Sequence, residues 1–223
     1  MNMGKIVIGC SVLAFLVMTA GAGIAKDGKV KVTWLGQSAF QIVSPGGKVI
    51  YIDPWLDNPK APEGAKKVEK ADLILLTHGH FDHVGAAIDI AKKTKAKVVA
   101  IYELADYVIS KGVPEGQAIM MNTGGTVAPW ADSPIKVTMV HADHSSGTKT
   151  DKGMVYTGEP VGFKVALENG FLIYHAGDTA LFSDMKLIGE GHRIDLALLP
   201  IGGHFTMGPE LSLIHISEPT RPY

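Results

Sequence analysis

The stretch LILLTHGHFDH, residues 73–83, decides how the rest of the chain is read. Its first four residues form an unbroken apolar run, too short for a helix and lacking the alternation of a half-exposed strand. The run therefore reads as a strand buried on both faces. Six positions follow at once, 78–83, holding three imidazoles and one carboxylate. In extended backbone, residues two apart share a side, so His78, His80 and Asp82 converge, while His83 turns away as a helix begins. A strand that aims four polar groups at one spot gains nothing in packing from it. Two metal positions are the natural outcome, and nitrogen and oxygen donors of this kind suit zinc, manganese or iron.

Downstream, two more strand ends carry donors. IKVTMVHADHSSG, residues 135–147, reads as a strand ending in His141 and His144, which are three apart and so need not face the same way. His144, in the loop before Ser145-Ser146-Gly147, is the expected ligand and His141 the bystander. YHAGDT, residues 174–179, again ends a strand, and Asp178 is a carboxylate able to bridge two cations. His175 points back along the strand and reads as a histidine held by its neighbours, supporting rather than ligating. Asp53 closes the run KVIYID, where two readings stand: it orients a ligand imidazole, or it opens a plain Asp-Pro turn.

The surrounding chain reads as α/β. Three short extended runs, VKVTWLG, AFQIV and KVIYID, meander through a Ser44-Pro45-Gly46-Gly47 turn, and a loop rich in Pro and Lys covers residues 54–70. Residues 84–93 have helical spacing, KVVAI is a strand, and ELADYVISKG is helix-like. In the second half, residues 148–159 read as a polar loop. VGFKVALE and FLIYHAG form a hairpin whose Asn169-Gly170 pair favours a type I′ turn. A helix near residues 181–188 leads to a last strand, LALLP. Each half delivers a strand with polar residues at its end into a helix, so two facing sheets with helices outside accommodate the pattern.

Taken together, HGHFDH, then HSSG, then HAGDT resemble the metallo-β-lactamase superfamily. WLGQSAFQI, IDPWLDNP and PIGGHFTMGPE are closer still to metal-dependent hydrolases related to ascorbate 6-phosphate lactonase, and the resemblance spans about residues 30–210. It implies an αβ/βα sandwich and a hydrolase using a metal-activated hydroxide on an ester, lactone or phosphodiester-type substrate. It implies that His78, His80 and His144 hold one metal, that Asp82 and His83 hold the other, and that Asp178 bridges. Two divalent ions are expected, zinc foremost, with Asp82 as general base. His204, in the IGGHFT segment, stands at the same rim, with substrate contact or proton donation as its functional reading and loop structure as the other. The family's final histidine lies downstream of MGPE, so the fold is expected to be C-terminally truncated and the second position a ligand short.

Both ends are set apart from this domain, residues 26–210. Lys5 precedes an uncharged apolar stretch, residues 6–25, with small residues at its end, the layout of a secretory signal peptide. An exported, periplasmic product follows, touching membrane only if the leader stays attached. LSLIHISEPTRPY, residues 211–223, resembles the translation of a sequencing-library adapter, so His215 is not counted as a ligand. Cys10 is the single cysteine, which leaves the domain without disulfides or thiolate ligands.

With 21 basic and 22 acidic residues the formal charge is -1. That excludes a global field for nucleic acid, and a small molecule is the expected partner. Other members of the same fold are separable: a diiron redox enzyme would carry Glu where His80 stands, and the commonest zinc β-lactamases use a cysteine ligand. A protein of this fold that binds metal without hydrolysis is the rival from another class.

Overall fold

A computed structural model describes residues 28–217, with side chains described through residue 213. The expected leader, the end of the adapter-like tail and the His215 side chain lie outside the described residues. Strands β1 (Lys31–Trp34), β2 (Phe40–Val43) and β3 (Val49–Ile52) pair as an antiparallel meander, as their glycine-punctuated runs require. β4 (Leu73–Leu75) then enters parallel to β3, and every one of its side chains is buried. This is why the run is apolar without alternation.

Helices α1 (Phe81–Val84) and α2 (Ala87–Thr94) follow, then β5 (Lys97–Ile101), α3 (Tyr102–Ser110), a short 3₁₀ turn at Glu115–Gln117 and β6 (Ala118–Met121). The result is a six-stranded sheet in the order β1-β2-β3-β4-β5-β6. β7 (Thr126–Val127) and β8 (Lys136–His141) open the second sheet. A ribbon of β9 (Thr148–Thr150) and β10 (Gly153–Val155) intervenes before β11 (Val161–Ala166), β12 (Leu172–His175), α4 (Met185–Gly189), β13 (Leu196–Leu198) and α5 (Pro209–Ser217). The second sheet has five strands in the order β13-β12-β11-β8-β7.

One continuous core fills the space between the sheets, joining Ile42, Ile50, Leu75 and Val99 from the first to Val137, Met139, Phe163 and Ile173 from the second. A smaller apolar cluster, Tyr174, Ala176, Met185, Ile188 and Met207, seats α4 on the far side of β12. The α/β sandwich expected from the strand-helix pattern is thus the architecture observed. Among the described residues no helix is long and apolar enough to cross a membrane.

Three local readings are corrected. The helical stretch expected at residues 84–93 breaks into α1 and α2, because Gly85 takes φ 43° and ψ -122°, values that end a helix. The β11–β12 hairpin does not use a type I′ turn. The Gly170 N–H bonds the Leu167 carbonyl at 2.9 Å, and of Asn169 and Gly170 only the glycine has positive φ, giving a type I turn closed by a left-handed glycine. The polar loop at residues 148–159 contains the β9–β10 ribbon, in which exposed Met154 and Val155 pair with Lys149 and Thr148.

Gly85 also sets a testable point. A Cβ placed there would lie 2.5 Å from the Trp55 Cα and 2.7 Å from the Pro54 carbonyl oxygen, both backbone atoms with little room to shift. Gly85→Ala is therefore expected to destabilise the fold by about 1–3 kcal/mol from the backbone conformation and overlap. Thermal unfolding read by circular dichroism measures this, and an unchanged midpoint would refute it.

Candidate metal centre

The site sits where β4, β8 and β12 end. The three strand ends deliver His78 and His80, His144, and Asp178 from one edge of the sandwich. Ligand atoms of His78, His80 and His144 lie within 4.8 Å of one another, and a second group, His78, His83 and Asp178, meets the same limit. His78 belongs to both. Its Nε2 stands 2.9 Å from His80 Nδ1. Asp178 Oδ2 lies 3.4 Å from His83 Nε2 and 3.7 Å from His144 Nε2, placing this carboxylate between the two groups. Asp82 joins from the first turn of α1, its Oδ2 3.9 Å from His83 Nε2. The expected convergence of His78, His80 and Asp82 with His83 turned away is corrected: the helix begins at Phe81, so extended spacing ends before Asp82, and His83 rather than Asp82 completes the second group.

A buried carboxylate behind the ligands sets which nitrogens face the centre. Asp53, fully buried, accepts from the Thr77 N–H at Oδ1 (2.8 Å) and from the Thr77 hydroxyl at Oδ2 (2.6 Å). His83 Nδ1 meets the same Oδ2 at 2.8 Å, so the ring donates there and turns Nε2 to the cluster. The Thr77 hydroxyl, having given its proton to Asp53, is left to accept from His78 Nδ1 at 3.0 Å, which frees the His78 Nε2 lone pair. Of the two readings of Asp53, the structure thus realises the orienting one.

Electrostatics match a cation-binding set. Burial, reinforced by the neighbouring rings, holds His78 well below the ordinary histidine range, and burial also lowers His80 and His144 despite nearby carboxylates. These rings are neutral, the form that ligates metal. At His83 burial works against the charged ring, but Asp53 and Asp178 outweigh it and hold its pKa up to about 10. The same carboxylates favour any cation placed there. Burial pushes Asp178 up, yet His83 and His144 more than offset it, so its carboxyl stays below the usual range. The neutral imidazoles of His78, His80 and His144, with the ionised Asp178 beside them, therefore fit a divalent metal.

The other sequence-predicted residues fall into place differently. His175 is buried, its Nε2 3.1 Å from the Ser38 carbonyl and its Nδ1 accepting from the Gly177 N–H at 3.1 Å. It supports the strand end rather than pointing a free nitrogen at the cluster. His141 is exposed, paired with Asp143 at 2.6 Å and edge-on to Phe182. His204 is also exposed, its ring against Phe205. The segment around it lines a cavity of about 590 Å³ beside the centre, through Ile201, Gly202, Phe205 and Thr206, but His204 itself does not.

Sequence reasoning missed Gln37 and Thr77. Gln37 Nε2 lies 3.1 Å from Asp82 Oδ2 and 3.2 Å from His83 Nε2. The β9–β10 ribbon was equally unforeseen as a support. Ser146 Oγ accepts from the Gly79 N–H at 3.1 Å and meets Thr157 at 2.9 Å, and the Thr148 hydroxyl donates to the Gly79 carbonyl, so the ribbon and the residues flanking it clamp the loop that bears His78 and His80. Only the polar residues of LGQSAF at a strand end hinted at Gln37.

Comparison with known proteins agrees with this geometry. The profile of the β-lactamase superfamily domain matches residues 48–218. A UPF0173 metal-dependent hydrolase of Cupriavidus necator is 48% identical over 212 residues, covering 90% of this chain and 73% of the relative. One from Myxococcus xanthus is 49% identical over 193 residues, covering 86% and 67%. Among solved structures, Igni18, a metallo hydrolase from the archaeon Ignicoccus hospitalis, superposes with a TM-score of 0.70 at 39% identity, over 83% of this chain and 76% of that one. The chain belongs to the β-lactamase superfamily domain family and, within it, to the UPF0173 metal-dependent hydrolases.

Proposed function

We propose that this protein is a metal-dependent hydrolase of apolar esters or lactones, with His78, His80 and His144 as the principal metal ligands and Asp178 beside them. The observation that carries the reading is the convergence of these imidazole nitrogens next to Asp178, which lines an adjoining cavity. A divalent ion held there lowers the pKa of bound water to about 7, which supplies hydroxide near neutral pH. Zinc suits three imidazoles and a carboxylate best.

The chain's own residues do the rest. Trp34, Phe40, Leu198, Ile201 and Phe205 give the cavity an apolar wall, and Asp82 and Asp178 mark the edge nearest the ligands. Among the described residues that line it there is no Lys or Arg. A phosphorylated substrate would find no side-chain cation there, whereas the alkyl or aryl body of an ester or lactone gains from burial. This favours carboxylic ester chemistry over phosphodiesters and sugar phosphates. Asp82, partly exposed and bordering the cavity, takes the proton of the attacking water and returns it to the leaving oxygen.

The test is an assay of zinc-loaded protein against an aryl butyrate, a medium-chain lactone and bis(p-nitrophenyl) phosphate. Turnover of the first two is expected to exceed that of the phosphodiester by about tenfold or more, to vanish with chelator and to return with zinc. Turnover that persists in chelator would sink the proposal, and tight metal uptake with no turnover on any substrate would favour a metal-binding role instead.

A further inference from the structure

Gln37 stands where a second cation would have to be held. A metal bonded to both Asp82 Oδ2 and His83 Nε2, at about 2.0–2.2 Å from each, must sit near the middle of the 3.9 Å that separate those atoms. The Gln37 amide nitrogen, 3.1 and 3.2 Å from the same two atoms, then lies within about 3.5 Å of that metal.

The direction of the amide is fixed. Its Oε1 accepts from the Ser38 N–H at 2.6 Å, and a carboxylate such as Asp82 can only accept, so the NH₂ must face the centre. An amide nitrogen has no lone pair to give a metal, and its hydrogens repel one. The residue is also anchored through its backbone. Its carbonyl accepts from the Trp34 indole N–H at 2.8 Å, the turn closes with the Leu35 N–H on the Ala39 carbonyl at 2.8 Å, and Gln37 itself takes φ 49°. A non-glycine residue in the left-handed region persists where its surroundings over-determine it. The side chain itself is exposed at the rim of the centre and is held there by its two polar ends, Oε1 on the Ser38 N–H and Nε2 on Asp82 Oδ2.

We infer that Gln37 is a positioning residue whose amide takes the place of a second cation between Asp82 and His83, so that the protein holds one tightly bound metal per chain. This rests on the reading of His78, His80 and His144 as metal ligands. By donating to Asp82 Oδ2 the amide holds that carboxylate in place, a task a second cation would otherwise perform, and leaves one principal metal at the histidine triad.

The experiment is a zinc count by elemental analysis after desalting, with calorimetric titration of zinc into metal-free protein, for the unaltered chain, Gln37→Glu and Gln37→Ala. Glu keeps the shape and replaces the donor with a ligand; Ala only clears the space. The expected result is one tight equivalent for the unaltered chain and a second in both variants, its affinity at least tenfold higher than any second binding without the change. Two tight equivalents with Gln37 in place would overturn the inference while leaving the histidine site standing, as would a single equivalent in Gln37→Glu. No zinc in the unaltered chain would instead remove the functional reading beneath it. Should the Ala variant fail to fold, the isosteric Glu variant decides.

Discussion

Replacing His78 by Ala is expected to leave a folded protein that retains no zinc through desalting and hydrolyses at background rate. The argument is one of position. His78 is the only residue shared by the two donor groups, it is fully buried, and its Nε2 is aimed by the Thr77 hydroxyl behind it. Loss of a group that merely orients a ligand costs about 10–100-fold in metal affinity, so loss of the shared ligand itself should exceed that. His141→Ala is the control. That ring is exposed and engaged with Asp143 and Phe182, so its removal should leave zinc content and rate unchanged. Zinc retained by His78→Ala at the level of the parent would sink the proposed ligand set.

How far the sequence disclosed this site follows from the range of the signals involved. LILLTHGHFDH is local: the buried strand, the donors and the start of the helix that follows all lie within eleven consecutive residues, and His78 and His80 keep the two-residue period of extended chain while Asp82 and His83 already belong to α1. His144 and Asp178 were legible for the same reason, as polar groups at the ends of apolar strands. What could not be read were contacts across the sheets. Gln37 reaches residues 45 and 46 positions away, the Ser146 hydroxyl reaches Gly79 from 67 away, and nothing in either local sequence announces the partner. The helix break at Gly85 escaped for a related cause. Helical spacing continues through the glycine, and only the approach of Trp55 and Pro54 fixes its conformation. His204 is the opposite case, a residue type that drew the eye although its ring turns to Phe205 rather than into the cavity.

Asp53→Asn should have the second large effect, and by a route that separates it from a packing defect. The left-handed φ of 46° at this position is tolerated by Asn, so the backbone survives. The Thr77 N–H can only donate and therefore claims the amide oxygen at the Oδ1 position, which puts the NH₂ at the Oδ2 position, against the Thr77 hydroxyl and His83 Nδ1. Both must now accept. His83 is forced to carry its proton on Nε2, facing the centre, and the Thr77 hydroxyl, no longer donating to residue 53, turns its hydrogen to His78 Nδ1 and drives that ring to the same wrong tautomer. One exchange of oxygen for NH₂ reverses two ligands, so zinc affinity is expected to fall by about 100-fold or more, given about 10–100-fold for a single outer partner. Asp53→Ala behaves otherwise: it strands three donors in a dry interior and should cost about 3–5 kcal/mol of stability. Zinc titration together with thermal unfolding of metal-free protein distinguishes the two. The Asn variant is expected to melt near the parent and bind weakly, while the Ala variant melts well below it, and an Asn variant that binds zinc as tightly as the parent would show that Asp53 does not set the tautomers.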